Sequence, residues 1–95
     1  MENIYGENGN YYIGQWKNGL RHGKGKEYYS DRNIIYEGDF VNDKREGNGK
    51  YIWKDGEYYI GQIKNNSMNG KGIYYYSDGN IKYDGEWIDG EFKGN

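Results

Sequence analysis

Residues able to carry acid–base or nucleophilic chemistry are few in this chain of 95 residues. The sequence has no cysteine, which excludes thiol nucleophiles and thiolate metal ligands. His22 is the only histidine, and the three serines lie in turn-like segments, at Ser30, Ser67 and Ser77. Because a serine nucleophile needs a base beside it, this scatter indicates that His22 is a surface turn residue and not a general base.

Two pairs of carboxylates, Glu37/Asp39 and Asp84/Glu86, have the spacing that places both groups on one face of a strand. Such pairs could serve as a general acid and base or as metal ligands. They alternate with basic segments, so we expect cross-strand ion pairs with Lys24, Lys26, Lys50 and Lys71. The Gly-Lys-Gly triplets lack the longer glycine spacing of a phosphate-binding loop. The sequence therefore predicts no catalytic residue, no metal site and no cofactor.

The composition excludes several classes of protein. With 13 basic and 15 acidic residues, a net charge of −2 and a pI near 5.4, the chain lacks the basic character of a nucleic-acid binder. The mean hydropathy is −1.30, but 19% of the residues are aromatic, which is untypical of disorder. The sequence has no apolar run of about 18 residues, the length needed to span a membrane, and its first residues do not resemble a signal peptide. We expect an intracellular, cytoplasmic protein, with membrane or cytoskeletal structures as alternative sites.

An internal repeat organises the chain. A Tyr-x-Gly-x-Trp-like block recurs in steps of 24, 23 and 24 residues, at 12–16, 36–40, 59–63 and 83–87. A Gly-x-Gly block follows at 23–25, 47–49 and 70–72. We therefore divide the single domain of residues 1–95 into a half repeat (1–11), three full repeats (12–35, 36–58 and 59–82) and a partial one (83–95). The partial repeat is expected to stop after its first strand.

The pattern within each repeat predicts a β-hairpin. Apolar and glycine positions alternate with period two, and Asn-Gly-like dipeptides separate the blocks. The absence of alanine and proline and the abundance of tyrosine and isoleucine also favour strands. We expect an all-β fold, an elongated, twisted, single-layer antiparallel meander of about eight strands. The regular glycines are explained if aromatic rings from neighbouring strands lie flat across them.

Aromatic side chains form ladders on one face of this sheet. One ladder contains Tyr12, Tyr36, Tyr59 and Tyr83, and another contains Trp16, Phe40 and Trp87. A single sheet has no second layer to cover such a face completely, so some of the rings should line an open groove. Tyrosine and tryptophan are also enriched in binding hot spots. The candidate groove residues are Tyr5, Tyr29, Tyr51, Trp53, Tyr74 and Tyr76.

The Tyr-x-Gly-x-Trp block, the later Gly-x-Gly and the step of 23 to 24 residues resemble the MORN repeat (membrane occupation and recognition nexus) over nearly the whole chain. The resemblance implies an elongated single-layer sheet with one grooved face, and roles in scaffolding, partner binding, self-association or membrane attachment. Two positions depart from the pattern. Ile63 replaces an aromatic residue, which predicts a shallower aromatic stack in the third repeat. Glu27 lies where later repeats have Tyr51 and Tyr74.

Three functions compete at this stage. The leading hypothesis is a non-enzymatic scaffold or interaction module that binds a peptide or helix of a partner protein in the aromatic groove. The second is peripheral attachment to acidic phospholipids. A third is a structural spacer that self-associates as a homo-oligomer. The second rests on sparse basic residues of the opposite face: Lys17, Lys24, Lys26, Lys50, Lys64 and Lys71.

Overall fold

The computed structural model describes residues 3–4 and 8–95, which form one antiparallel sheet with nine strands among them. The first and last strands are the shortest. The strands are β1 (Asn3–Ile4), β2 (Tyr11–Lys17), β3 (Leu20–Tyr28), β4 (Ile34–Val41), β5 (Lys44–Ile52), β6 (Tyr58–Lys64), β7 (Ser67–Tyr75), β8 (Ile81–Ile88) and β9 (Glu91–Gly94). Each strand pairs with the next in chain order, which confirms the predicted meander. The partial repeat was expected to end after one strand, but it continues into β9, so that expectation was wrong.

Tight turns explain this topology. The first turn residue has a positive φ in every repeat, at Asn18, Asn42, Asn65 and Asp89. Asparagine, aspartate and glycine tolerate this left-handed conformation better than other residues, and its twist matches that of the flanking strands. The sequence therefore folds locally into hairpins, which stack into a body of 38 × 26 × 18 Å.

A row of glycines crosses the sheet perpendicular to the strands. The register pairs each glycine with the next along the row Gly14, Gly25, Gly38, Gly49, Gly61, Gly72 and Gly85. The rings of Tyr12, Tyr36 and Tyr59 lie across this row. A Cβ atom added at Gly49 would overlap with the ring of Tyr36. The prediction that aromatic rings cover bare backbone is therefore confirmed.

The three tyrosines are fixed at their hydroxyl ends as well. Tyr12 and Tyr59 each donate a hydrogen bond of 2.8 Å to the carbonyl of the residue three positions later, and Tyr36 does the same at 2.9 Å. All three side chains are fully buried. Each ring thus spans the glycine row and closes a loop onto its own strand, which satisfies the one polar group that burial would otherwise penalise.

The core of the molecule lies on one side of the sheet, here called the aromatic face. It is built from buried side chains that pack on the glycine row and on each other: Tyr12, Tyr36, Phe40, Tyr59, Ile63 and Trp87. The other side, here called the opposite face, carries the predicted ion pairs of Lys24 with Asp39 and of Lys26 with Glu37 (3.9 Å). The sheet therefore carries its buried core on one side and these cross-strand ion pairs on the other, and residues 3–4 and 8–95 form no second layer.

Side chains also join successive hairpins at the turns. His22, Glu46 and Asn69 occupy equivalent positions, and each accepts a hydrogen bond from a backbone N–H in the turn of the next repeat. For His22 this bond is 3.3 Å long and uses Nδ1. His22 lies in β3, just past the turn where we expected it, and it has a structural role there. Ser67 likewise begins β7, although we expected a loop.

Candidate functional site

Three of the predicted groove residues form a continuous stack on the aromatic face. The ring centroids of Tyr51 and Trp53 lie 5.8 Å apart, and those of Trp53 and Tyr74 lie 5.0 Å apart. Tyr51 also contacts the buried Tyr36 at 5.0 Å. Because the three stacked side chains are only half-buried, they connect the core to the surface of the aromatic face.

The other predicted groove residues lie at the margin of this stack. Tyr29 is half-buried, with the Lys54 ammonium 5.0 Å from its ring centroid. Tyr76 is 44% exposed and lies beside Tyr74 through a shared contact with Lys82. Tyr5 lies outside the described residues. The structure thus brings Tyr51, Trp53 and Tyr74 together and places Tyr76 next to them, with Tyr29 against a loop lysine.

A charged cluster occupies the N-terminal half of the aromatic face. Glu27 is only 2% exposed, and its carboxylate lies between two guanidinium groups. Arg45 donates to it through Nε and, at 2.9 Å, through Nη2, while Nη1 of Arg21 lies 3.1 Å from Oε2. Arg21 also donates to Asp43 at 2.7 Å. Paired hydrogen bonds that the carboxylate accepts from guanidinium groups allow it to remain buried.

The two arginines also pack on aromatic rings. The guanidinium carbon of Arg21 lies 5.1 Å from the ring centroid of Phe40, and that of Arg45 lies 5.3 Å from the ring of Tyr51. Burial disfavours the charged form of Arg45, but its hydrogen bonds with Glu27 outweigh this effect and raise its pKa. The hydrogen bond from Arg21 lowers the pKa of Asp43. Both shifts favour the charged forms of Arg45 and Asp43, and the rings around the cluster stabilise its cations.

The C-terminal half of the aromatic face has an apolar centre and a charged pair, Lys82 and Glu57, at its margin. Met68 and Phe92 occupy the positions equivalent to the two arginines, and both pack against the buried core. Trp87 contacts Tyr59 at 5.3 Å and Phe92 at 5.2 Å, and its indole N–H donates to the Gly72 carbonyl at 3.1 Å. The centre of this half is thus built from rings and a thioether.

Ile63 marks the boundary between the two halves. In the first two repeats an aromatic residue at this position packs edge-on against the tyrosine of its own repeat, as Phe40 does against Tyr36 at 5.2 Å. The buried Ile63 takes that place in the third repeat. Tyr59 retains the contact with the aromatic residue of the following repeat, Trp87, which corresponds to the contact of Tyr12 with Phe40. The departure predicted from the sequence is therefore an interruption in the chain of ring contacts.

Burial affects the titration of the tyrosines. It raises the pKa of Tyr59 to about 12, against the opposing effect of its hydrogen bond to the Gln62 carbonyl. Burial, together with the hydrogen bond to Glu57 and the charges of Glu57 and Asp55, raises the pKa of Tyr74 to about 12. These phenols are neutral hydrogen-bond donors at physiological pH.

The opposite face contains a separate open depression of about 700 Å³. It follows the back of the glycine row from β2 to β6, and the side chains around it include Ile13, Lys26, Glu37, Lys50 and Ile60. Lys26 and Glu37 form one of the cross-strand ion pairs, and the Lys50 ammonium lies 4.9 Å from the ring centroid of Tyr58. The sequence did not indicate this depression, because it is formed by residues of five strands together.

Residues 3–4 and 8–95 contain no group of three or more metal-binding side chains that could hold an ion. The same residues include no helix long and apolar enough to cross a membrane.

Comparison with known proteins identifies the repeat. The family model described as "MORN repeat" matches residues 12–34, 36–58, 59–81 and 83–95, which is most of the chain. This chain belongs to the MORN repeat family. MORN repeats form a non-catalytic repeat family, and they are commonly modules for binding.

A relative within this family is "MORN repeat-containing protein 3" of Xenopus laevis, which is 46% identical over 52 residues. The match covers 55% of this chain and 22% of the frog protein. The chain therefore spans about a fifth of the length of this relative, and the MORN repeats themselves are what the two proteins share.

Within the MORN pattern, sequence reasoning missed the two arginines of the charged cluster. Counting across the hairpin turn could have found them, because Phe40 pairs with Arg45 and Trp16 with Arg21. Residues paired across two strands share a face, so both arginines had to lie on the aromatic face. The buried position of Glu27, a departure from the MORN pattern, then follows from its need for a cation.

Proposed function

We propose that this chain is a non-enzymatic MORN-repeat interaction module that binds a helix of a partner protein on its aromatic face. The observation that carries the proposal is the half-buried stack of Tyr51, Trp53 and Tyr74, with the exposed ring of Tyr76 at its margin. Rings of this kind are rigid, largely apolar and enriched in binding hot spots.

The chemistry of this surface favours a helix over an extended peptide. An extended peptide binds best at a sheet edge, where free backbone groups are available for hydrogen bonds. The aromatic face offers rings, and a helix satisfies its own backbone hydrogen bonds before docking. A helix of about 25 residues, at a rise of 1.5 Å per residue, would extend along the 38 Å length of the molecule.

The charges of the opposite face give less support to acidic phospholipids as partners. Lys24 and Lys26, two of the six lysines in question, form ion pairs with Asp39 and Glu37. Recruitment to an acidic surface depends on clustered and unopposed basic residues. We therefore propose a protein partner.

The test uses neighbouring residues on the two faces. The variant Trp53→Ala/Tyr76→Ala removes two rings from the aromatic face, and the matched control Ile52→Ala/Tyr75→Ala removes the adjacent side chains of the opposite face. A partner would first be identified by affinity capture from cells of the source organism, and its binding segment would then be titrated calorimetrically against each variant. Circular dichroism would establish that all three proteins are folded.

We expect the aromatic-face variant to lose at least tenfold in affinity, which is about 1.4 kcal/mol, because two hot-spot rings are removed. The control should bind like the native chain. The proposal would be wrong if the control lost affinity and the aromatic-face variant did not. That result would instead indicate that the partner binds the opposite face.

A further inference from the structure

The ammonium group of Lys82 lies inside a cage of three tyrosines. Its Nζ atom is 5.4 Å from the ring centroid of Tyr74, 5.3 Å from that of Tyr76 and 5.7 Å from that of Tyr83. The carboxylate of Glu57 lies 3.4 Å from the same atom. Three aromatic faces and one carboxylate around a single cation are the components of an ammonium-binding site.

A β-bulge turns Lys82 toward this cage. The register changes where β7 pairs with β8, so that Tyr74 faces Tyr83 while Tyr75 faces Ile81. Lys82 is the extra residue between these pairs, and a bulge re-aims the side chain that it carries. As a result, Lys82 reaches the same side of the sheet as Tyr83, where strict alternation would have placed it on the opposite face.

The repeat does not require a cation here. The residue before the first tyrosine of the earlier repeats is Tyr11, Ile35 or Tyr58. At the equivalent bulge between β3 and β4, the apolar Ile35 packs against the core. An apolar side chain therefore suffices to build this position, and the lysine of the last repeat needs a separate explanation.

The cage is open and electronegative. Tyr76 is 44% exposed, Tyr83 is 41% exposed, and the side chain of Lys82 is 30% exposed. Glu57 and Asp55 both act on the hydroxyl of Tyr74, and with burial they raise its pKa. A flexible lysine at such a surface can leave, and the carboxylates and ring faces would then attract another cation.

We propose that Tyr74, Tyr76, Tyr83 and Glu57 form a binding site for the lysine side chain of a partner protein, and that Lys82 fills this site until the partner displaces it. The fit of Lys82 itself identifies the ligand chemistry, because an alkylammonium on a flexible aliphatic stem is what the cage already holds. A methylated lysine should bind more tightly than an unmodified one, since its ammonium is less strongly hydrated. This inference does not depend on the helix-docking proposal, because it concerns a single side chain.

The experiment measures binding of two probes, N-acetyl-lysine methylamide and its ε-trimethylated form, by NMR titration of the folded chain. The variant Lys82→Gln removes the competing ammonium and retains a polar side chain of similar reach. We expect this variant to bind the trimethylated probe at least tenfold more tightly than the native chain, with shifts centred on the rings of the cage. The unmethylated probe should bind the variant more weakly than the trimethylated one.

Two further variants make the result specific. Lys71→Gln removes a lysine of the opposite face and should bind the probes as the native chain does. Glu57→Gln in the Lys82→Gln background removes the carboxylate without changing its size, and it should weaken binding at least threefold. The proposal would be overturned if Lys82→Gln bound the trimethylated probe no better than the native chain, or if loss of the Glu57 carboxylate left the affinity unchanged.

Discussion

The two halves of the aromatic face have the same backbone register but are built with different chemistry. In the first two repeats Arg21 and Arg45 occupy the position that Met68 and Phe92 occupy later. The N-terminal half therefore contains a buried carboxylate between two cations, whereas the C-terminal half is packed with rings and a thioether. In both halves a tyrosine ring lies across the glycine row, and these residues (Tyr12, Tyr36 and Tyr59) are here called the arched tyrosines.

This difference separates the positions that build the sheet from those that give it a surface. The glycines and the tyrosines above them recur in every full repeat, because a ring can cross the sheet only where a side chain is missing. The positions beside them accept an ion pair, a thioether or a ring without a change of register. Binding specificity of the aromatic face should therefore depend on the variable positions.

We expect the largest loss of stability when the carboxylate at the centre of the N-terminal half is removed. Glu27→Ala leaves two guanidinium groups close together and without the carboxylate that neutralises them, so we expect a loss of about 3 to 5 kcal/mol in the free energy of unfolding. Urea denaturation followed by tryptophan fluorescence would measure it.

A triple variant provides the control by giving the N-terminal half the chemistry of the C-terminal half. Arg21→Met/Glu27→Tyr/Arg45→Met replaces the cluster with residues that occur at equivalent positions of the third repeat. Its stability should lie within about 1 kcal/mol of the native chain, because apolar packing can substitute for a buried ion pair. If the single and triple variants lost the same free energy of unfolding, the loss in Glu27→Ala would not come from the two arginine charges left without a carboxylate.

The next largest loss of stability is expected from substitutions in the glycine row, which the two halves share. Gly49→Ala and Gly72→Ala each place a methyl group against an arched tyrosine, Tyr36 in one half and Tyr59 in the other. Neither glycine has a positive φ, so the cost is steric overlap, and we expect each change to lower the free energy of unfolding by about 3 kcal/mol. Chemical denaturation of both variants checks this expectation.

The matched control is Gly19→Ala in a hairpin turn, where a Cβ atom would meet open space but φ is +78°. Only backbone strain applies there, and the expected loss is about 1 kcal/mol. If one of the two row glycines tolerated alanine, the halves would not share the glycine row as a structural requirement.

The smallest effect concerns alkaline pH. Because burial raises the pKa of Tyr59 from 10.0 to about 12, its contribution to stability is complete below pH 10 and is lost as the pH rises through about 12. The shift corresponds to about 2 to 3 kcal/mol. Denaturant titrations at a series of alkaline pH values, with tyrosinate absorbance recorded in parallel, would detect this loss. In Tyr59→Phe the alkaline loss should be smaller by that amount, and an unchanged pH profile would contradict the assignment.

The fold was predictable because its signals are local and repeated. The dipeptides around Asn18 and Asn42 specify turns, and the spacing of Tyr36 from Gly38 specifies a face. The candidate site was only partly predictable. The stack of Tyr51, Trp53 and Tyr74 follows from alternation, which positions each ring by its own strand.

Other features depend on contacts that alternation does not describe. The Arg45–Glu27 pair joins β5 to β3, which are not adjacent strands, so it requires the packing of the whole face. Lys82 faces the aromatic side only because a bulge shifts the register by one residue. The depression on the opposite face is lined by residues of five strands together. None of these three features can be predicted from the alternation of residues along a single strand.

The most direct test of the account is site-specific photo-crosslinking at neighbouring residues. A photoreactive phenylalanine analogue would replace Tyr76, beside the aromatic stack, or Tyr75, which lies on the opposite face and stacks with Tyr58. Each protein would be irradiated with the captured partner, and the crosslinked peptide would be identified by mass spectrometry. The account predicts a crosslink to a helical segment of the partner from position 76 and none from position 75. A crosslink from position 75 alone would contradict it.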